Sequence, residues 1–318
     1  MNKPKDYPES LCFCTAAFGN KYVSLAKLLA SDLYQFAPNH LFVVITDKPI
    51  AFQNQPNVIA IEHWCRGVLA YHERRFAIKY ALSLSSTVMY FDADVRICSP
   101  IPHNLDFNPG LTARSCGDMK KHLRQQFDKP ILSQKLQRKQ HIITKMAQKA
   151  GVDLDSASVK FINEFLFVVK ADDGRELDFL QLWGEFAIYA DTLGLHKHPT
   201  YAMALAAVKS GLPIHHSNMD GLNFFDDRIE KIRLEKGQSS LGERSKKYFQ
   251  EQAAIEQQDL NLPQRVRNLA QRKLSLAYNS TRVKLTSVIS PSVLLEYPTV
   301  SLKSQQPGQT NLISGVAK

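Results

Sequence analysis

Val88-Met89-Tyr90-Phe91-Asp92-Ala93-Asp94-Val95-Arg96-Ile97 is the stretch on which the fold turns. An apolar, β-favouring run drives into two carboxylates spaced Asp-x-Asp. Side chains alternate across a strand, so Asp92 and Asp94 fall on the same side of its carboxyl end. Two hard oxygen ligands there suit Mg²⁺ or Mn²⁺, ions that keep several waters and take remaining ligands from substrate phosphates. The pair is therefore a candidate for holding a nucleotide diphosphate. A lone Asp-x-Asp is more often a solvated turn. The apolar run ahead of it, and its neighbours along the chain, separate the two readings.

Upstream, residues 11–18 (Leu-Cys-Phe-Cys-Thr-Ala-Ala-Phe) read as a first strand, and Gly19-Asn20 as the turn after it. Apolar residues at Tyr22, Leu25, Leu28, Leu29 and Leu33 give helical spacing over 21–36. Leu41 to Thr46 is a continuous apolar strand stopped by Asp47-Lys48-Pro49, and Val58 to Ile61 is a short one. A helix is expected over 66–85 and a strand over 87–91, carrying the acids. This β/α alternation with unbroken apolar strands means a mostly parallel sheet covered on both faces. Ligands of such sheets bind beyond the carboxyl ends of the strands, where strand order reverses. Asp47 and Asp92 both sit at such ends.

Downstream, residues 118–150 are polar and basic, helical over 133–150, and read as an inserted flap or an acceptor-facing region. Val159 to Val169 reads as one strand with Asn163-Glu164 set inside it. Helices are expected at 176–193 and 200–210, the second capped by Gly211. Leu212-Pro213-Ile214-His215-His216 reads as a short strand. Residues 240–285 are helical in pattern. Within them, 264–288 set Arg265, Arg267, Arg272, Lys273, Arg282 and Lys284 among Val, Leu and Tyr. That is either a surface helix packed on the main domain or a basic amphipathic helix lying on an anionic membrane. Residues 303–318 form a polar tail expected to be disordered.

The chain has 318 residues, 44% of them hydrophobic, enough for a sizeable core. Its net charge of +10 fits anionic partners. No zinc-finger spacing or aromatic RNA-binding signature accompanies it, so nucleic acid is not an expected partner. The five cysteines contain no C-x-x-C pair, and Cys12 and Cys14 read as buried small hydrophobes. No disulfide framework, signal-peptide core or bilayer-length apolar run is evident, which points to the cytoplasm; the membrane-surface reading of 264–288 would add peripheral contact with the inner membrane.

Taken together, Phe13-Cys14-Thr15-Ala16-Ala17-Phe18, Ile45-Thr46-Asp47-Lys48-Pro49, Arg74-Arg75-Phe76-Ala77-Ile78-Lys79-Tyr80 and Tyr90-Phe91-Asp92-Ala93-Asp94-Val95 resemble a GT-A-fold glycosyltransferase. The likeness is to retaining enzymes of the glycogenin-like and histo-blood-group-like kind, and covers roughly residues 10–220. It implies a GT-A (Rossmann-like) domain over 10–235, followed by a helical basic extension over 236–302. It implies a nucleotide-sugar site made by Thr15, Ala17, Phe18, Asp47, Asp92 and Ala93. It also implies a diphosphate-binding cation on the helix before the metal strand. Arg75 and Lys79, four residues apart, share one helical face and are the candidates, while Arg74 faces elsewhere. Metal ligands would be Asp92, Asp94 and a late histidine. Neighbours on a strand point opposite ways, so only one of His215 and His216 can reach, and His216 is preferred.

The implied reaction moves a sugar from a nucleotide diphosphate, UDP by default, to a hydroxyl of a saccharide, lipid-linked or protein acceptor, with Mn²⁺ or Mg²⁺. Positive charge builds on the anomeric carbon, which a nearby carboxylate or amide oxygen stabilises. Asn163 and Glu164 are the candidates, since a polar pair in an apolar run is either satisfied structurally or functional. Related families place an acid near His198-Pro199-Thr200, and none stands here, so the stereochemical course stays open. A phosphatase reading of Asp92-Ala93-Asp94 wants Thr or Val where Arg96 stands. A non-catalytic nucleotide-sugar binder or membrane-peripheral scaffold is the remaining alternative.

Overall fold

The computed structural model describes residues 11–103, 105–240, 242–256 and 262–296; the tail 303–318 lies outside them. The first half is built as its alternation requires. β1 (Cys12–Ala17), α1 (Gly19–Phe36), β2 (Phe42–Thr46) and β3 (Val58–Glu62) lead to α2 (Arg74–Leu82) and β4 (Thr87–Phe91). Then come β5 (Arg96–Ile97), β6 (Gly110–Ala113), β7 (Cys116–Asp118), α3 (Met119–Phe127), α4 (Gln134–Ala150), β8 (Lys160–Ile162) and β9 (Leu166–Lys170). α5 (Arg175–Leu193), α6 (Thr200–Ser210), β10 (Ile214–His216), β11 (Phe224–Phe225) and α7 (Asp227–Glu235) follow, and α8 (Glu243–Glu256), α9 (Leu262–Ile289) and α10 (Ser292–Leu295) close the described chain.

Seven strands form one sheet in the order β10-β6-β9-β4-β1-β2-β3. Every pairing is parallel except those of β9, which runs antiparallel to both β4 and β6. This is the mostly parallel, helix-flanked α/β architecture expected. The strands bury both faces. Cys12 and Cys14 enter one core with α2, α5 and α6, and Phe13 enters the other with α1. Both cysteines are free, and burial pushes the Cys12 thiol up to about 12. Strand order turns outward in two directions from β1 and β4, so the crevice for a ligand lies beyond their carboxyl ends.

Four elements depart from the sequence reading. Gly19 and Asn20 are the first turn of α1, not a separate turn. The expected helix over 66–85 is only Arg74–Leu82, because Glu73 organises the chain before it. Its carboxylate accepts from Gly67 N at 2.8 Å and pairs with His63 Nε2 at 2.7 Å. Segment 159–169 is two strands, β8 and β9, joined by a turn at Asn163-Glu164-Phe165. The polar pair therefore interrupts the strand instead of sitting in it. Residues 119–127 form a helix, α3, capped by the Asp118 side chain accepting from Lys121 N at 2.8 Å.

α9 packs onto the rest of the chain only in its second half. Arg282 Nη2 donates to the carbonyls of Cys65, Arg66 and Gly67, and Val283 is buried with Val68 and Leu294. Residues 266–278 of α9 are all exposed. Among the described residues, no helix is long and apolar enough to cross a membrane.

Candidate active site

The acids stand just past β4. Asp92 N donates to Phe165 O at 2.8 Å, which brings the Asn163-Glu164-Phe165 turn alongside the first acid. Thr15 ties β1 to the same place, its hydroxyl donating to Phe91 O at 2.8 Å. Ala17, at the end of β1, is fully buried, and Phe18 follows it half-buried, its ring edge-on to His63 with centres 6.0 Å apart. Asp47 ends β2 and accepts from Gly19 N at 3.0 Å, placing its charge at the α1 N-terminus. Ala93 is buried between the two acids.

The cation at this site is Arg74, not Arg75. Arg74 Nη2 lies 2.9 Å from Asp92 Oδ1, and its Nη1 donates to Glu164 O at 2.9 Å. The expectation that Arg74 faces elsewhere is corrected. Helices that connect parallel strands run back antiparallel to them, so only the first turn of α2 reaches the carboxyl ends. Arg75 instead donates to Leu294 O at 2.8 Å, on the side where α5 and α10 pack. Lys79 lies one turn further along the same face, about 6 Å deeper below the strand ends. The shared face of Arg75 and Lys79 is real, but it points at the C-terminal arm.

A second arginine and a third acid join from far along the chain. β11 pairs antiparallel with β5, setting Phe225 opposite Arg96 and so bringing Asp226 back towards Asp94. Asp226 is buried and caps α7, accepting from Arg228 N and Ile229 N at 3.0 Å each. Arg228 then lies between two carboxylates, 3.2 Å from Asp226 Oδ2 and 3.5 Å from Asp92 Oδ2. Neither residue is marked by sequence spacing, since only the β5–β11 pairing delivers them.

The electrostatics follow from this crowding. Burial and the neighbouring Asp92 push the Asp94 carboxyl up to about 7, Asp226 pushes the same way, and Arg228 opposes them. Burial also raises Glu164, with Arg74 pulling it down and Asp92 pushing it up. Asn163 is held through its backbone N–H, which donates to Ser115 O at 2.9 Å.

His216 is not brought to the acids. β10 is an edge strand, and β9 and β6 separate it from β4, three interstrand steps or about 14 Å. His216 is exposed, and His215 Nε2 pairs with Pro109 O at 3.1 Å. Among the described residues no group of three or more His, Cys, Asp or Glu is placed to hold a metal ion. Arg96 is a structural clamp, its guanidinium meeting Asp32 at 2.6 and 2.9 Å and also pairing with Glu251.

No protein-family model matches the chain, and no curated protein matches it. Among solved structures it is similar to the galactosyltransferase LgtC in complex with donor and acceptor sugar analogs, at 14% identity over 64% of this chain and 72% of that one, with a TM-score of 0.42. It is likewise similar to an active-site mutant of LgtC, at 13% identity, the same coverage and a TM-score of 0.40.

Proposed function

We propose that this chain is a glycosyltransferase that moves a sugar from a nucleotide-diphosphate donor, a UDP-sugar by preference, to a hydroxyl acceptor. The observation that carries this reading is Arg74 joining Asp92 to the Glu164 turn at the switch point of the sheet. A leaving diphosphate needs fixed positive charge where its own charge develops. The buried Arg74 and the more exposed Arg228 would supply it, and a guanidinium meets phosphate in a bidentate fork. Glu164 and Asn163, on the turn that accepts from Asp92 N, would steady the positive charge that grows at the anomeric carbon. Phe18 and Asp47 would line the base and ribose.

The residues suit a divalent cation, Mn²⁺ or Mg²⁺. Burial, and then Asp92 and Asp226, hold Asp94 towards neutrality, and a cation would favour its ionised form. Asp92 and Asp94 would hold the ion, which when bound supplies further neutralisation of the diphosphate.

Thermal unfolding of wild type and Asp94→Asn, with and without Mn²⁺, across UDP, GDP, ADP and CMP tests this reading. A ligand at a hundred times its dissociation constant stabilises by about 2.7 kcal/mol. Stabilisation by one diphosphate that needs Mn²⁺ and fails in Asp94→Asn supports the donor site; no shift with any nucleotide overturns it. Hydrolysis of the matching sugar nucleotide then separates an enzyme from a non-catalytic binder.

The exposed half of α9 supports peripheral contact with an anionic lipid surface. The helix carries six Lys and Arg and no Asp or Glu, and Val266, Leu269, Leu274 and Tyr278 are exposed on it.

A further inference from the structure

Arg228 meets the acids more loosely than Arg74 does. The Arg74 side chain is 8% exposed and its fork is tied at both tips, to Asp92 Oδ1 and to the Glu164 carbonyl. The Arg228 side chain is 60% exposed. Its Nη2 lies 3.2 Å from Asp226 Oδ2 and 3.5 Å from Asp92 Oδ2, and the second is an ion-pair distance longer than a good hydrogen bond. Asp226, Asp94 and Asp92 all act on this guanidinium. The helix that carries it, α7, buries none of its own residues, so its first turn is lightly seated.

The oxygens that face Arg228 are those left over by other partners. Asp92 Oδ1 already meets Arg74 and accepts from the Tyr90 hydroxyl at 3.2 Å. Asp226 Oδ1 caps α7. Asp92 Oδ2 has Arg228, and Asp94, two residues on, has no ion-pair partner within 4 Å among the described residues. Asp92 Oδ2 and the Asp94 carboxylate are the oxygens that a divalent cation would take, and they are the ones Arg228 attends. Two positive charges drawn to one pair of carboxylates repel each other.

We infer that Arg228 competes with the divalent cation for Asp92 and Asp94, and that the cation drives it off the acids and onto the diphosphate of the donor. The inference rests on the donor-site reading. Arg228 then acts in two places in turn. Beside the acids it offsets their mutual repulsion; released, its planar fork meets phosphate oxygens. Ion and diphosphate are thereby coupled through one side chain: each favours the other, and by the same factor. Arg74 takes no part in the exchange, because the Glu164 carbonyl holds its second tip. The α7 cap uses the backbone N–H of Arg228, so replacing the side chain leaves the cap in place.

Calorimetric titration of the full chain with Mn²⁺ alone, at fixed salt, tests the competition. Titration with UDP, GDP and ADP at saturating Mn²⁺ tests the hand-over. Arg228→Gln should bind Mn²⁺ about tenfold more tightly than wild type, the scale of one partly exposed ion pair and the repulsion that goes with it. The same variant should bind the preferred diphosphate about tenfold less tightly, as for one lost charged hydrogen bond. Arg228→Lys keeps the charge and should bind Mn²⁺ close to wild type, but it loses the fork and should recover only part of the diphosphate affinity. Arg233→Gln removes a charge from the same helix at a residue paired with Glu230, and should change neither. Unchanged or weaker Mn²⁺ binding in Arg228→Gln overturns the inference. So does an equal gain in Arg233→Gln, which would mark only the lowered net charge. Tighter Mn²⁺ binding with unaltered diphosphate affinity overturns the hand-over. Failure of the donor-site reading looks different: wild type then binds none of the three diphosphates.

Discussion

Arg74 Nη2 sits 2.9 Å from Asp92 Oδ1 while the next residue, Arg75, turns to the Leu294 carbonyl on a different face of α2. One step along a helix is about 100° of rotation, so adjacent arginines serve different partners. Arg74→Ala leaves Asp92 with Arg228 alone as a cationic partner, at 3.5 Å, and should cost less than the ~3–5 kcal/mol of a fully uncompensated buried charge in denaturant titration. Arg74→Lys should recover only part, since an ammonium cannot reproduce the fork that spans Asp92 and the Glu164 carbonyl. Asp92→Asn should cost less in the Arg74→Ala background than in wild type, because the pair with Arg74 is already gone and only that with Arg228 remains.

Arg75→Met should leave the nucleotide-induced thermal shift unchanged within error while lowering stability by about 1–3 kcal/mol, the worth of a buried hydrogen bond from a charged donor. Sequence spacing alone predicts the reverse, so thermal shifts of the Arg74 and Arg75 variants side by side decide between the two placements.

Arg282→Gln removes a guanidinium shared by three consecutive carbonyls, Cys65, Arg66 and Gly67. Amide exchange over residues 64–69 should quicken in this variant. The core strands should keep wild-type protection, because the loss is confined to a loop and the arm that covers it.

His72 is buried and accepts from Trp183 Nε1 at 3.0 Å. Burial lowers its pKa from 6.5 to about 4, with Asp191 and Glu73 opposing and Arg74 and Arg75 assisting. The unfolded chain therefore takes up a proton at this position before the folded protein does. Its contribution to stability is complete above pH 6.5 and is lost as pH falls through about 4. Full loss amounts to about 3 kcal/mol. Denaturant titrations of wild type and His72→Gln at pH 7 and pH 4 check this: the variant should show the smaller decline.

Vesicles test the exposed half of α9. The protein should sediment with vesicles rich in phosphatidylserine and not with phosphatidylcholine alone. Arg267→Gln combined with Lys273→Gln should weaken sedimentation by about 2 kcal/mol, roughly 1 kcal/mol per basic residue near a charged surface.

The order of strands and helices from 11 to 91, and the acids at the end of β4, were legible because hydrophobic period and turn residues are local properties. The two buried free cysteines, the helices at 176–193 and 200–210, and the Gly211 cap follow from the same kind of signal. Asn163-Glu164 stood out as polar residues in an apolar run, and the structure makes that interruption a turn between two strands of different sheets, β8 and β9. What the amino-acid order by itself determined is therefore the alternating framework and which residue types stand at its strand ends. Only the tertiary structure decided which charges meet there. The start of α2 at residue 74 selects Arg74, the β5–β11 pairing across some 130 residues of sequence delivers Asp226 and Arg228, and the edge position of β10 keeps His216 away. Those outcomes depend on non-local pairing and on where a helix begins, and neither leaves a periodic trace in the chain.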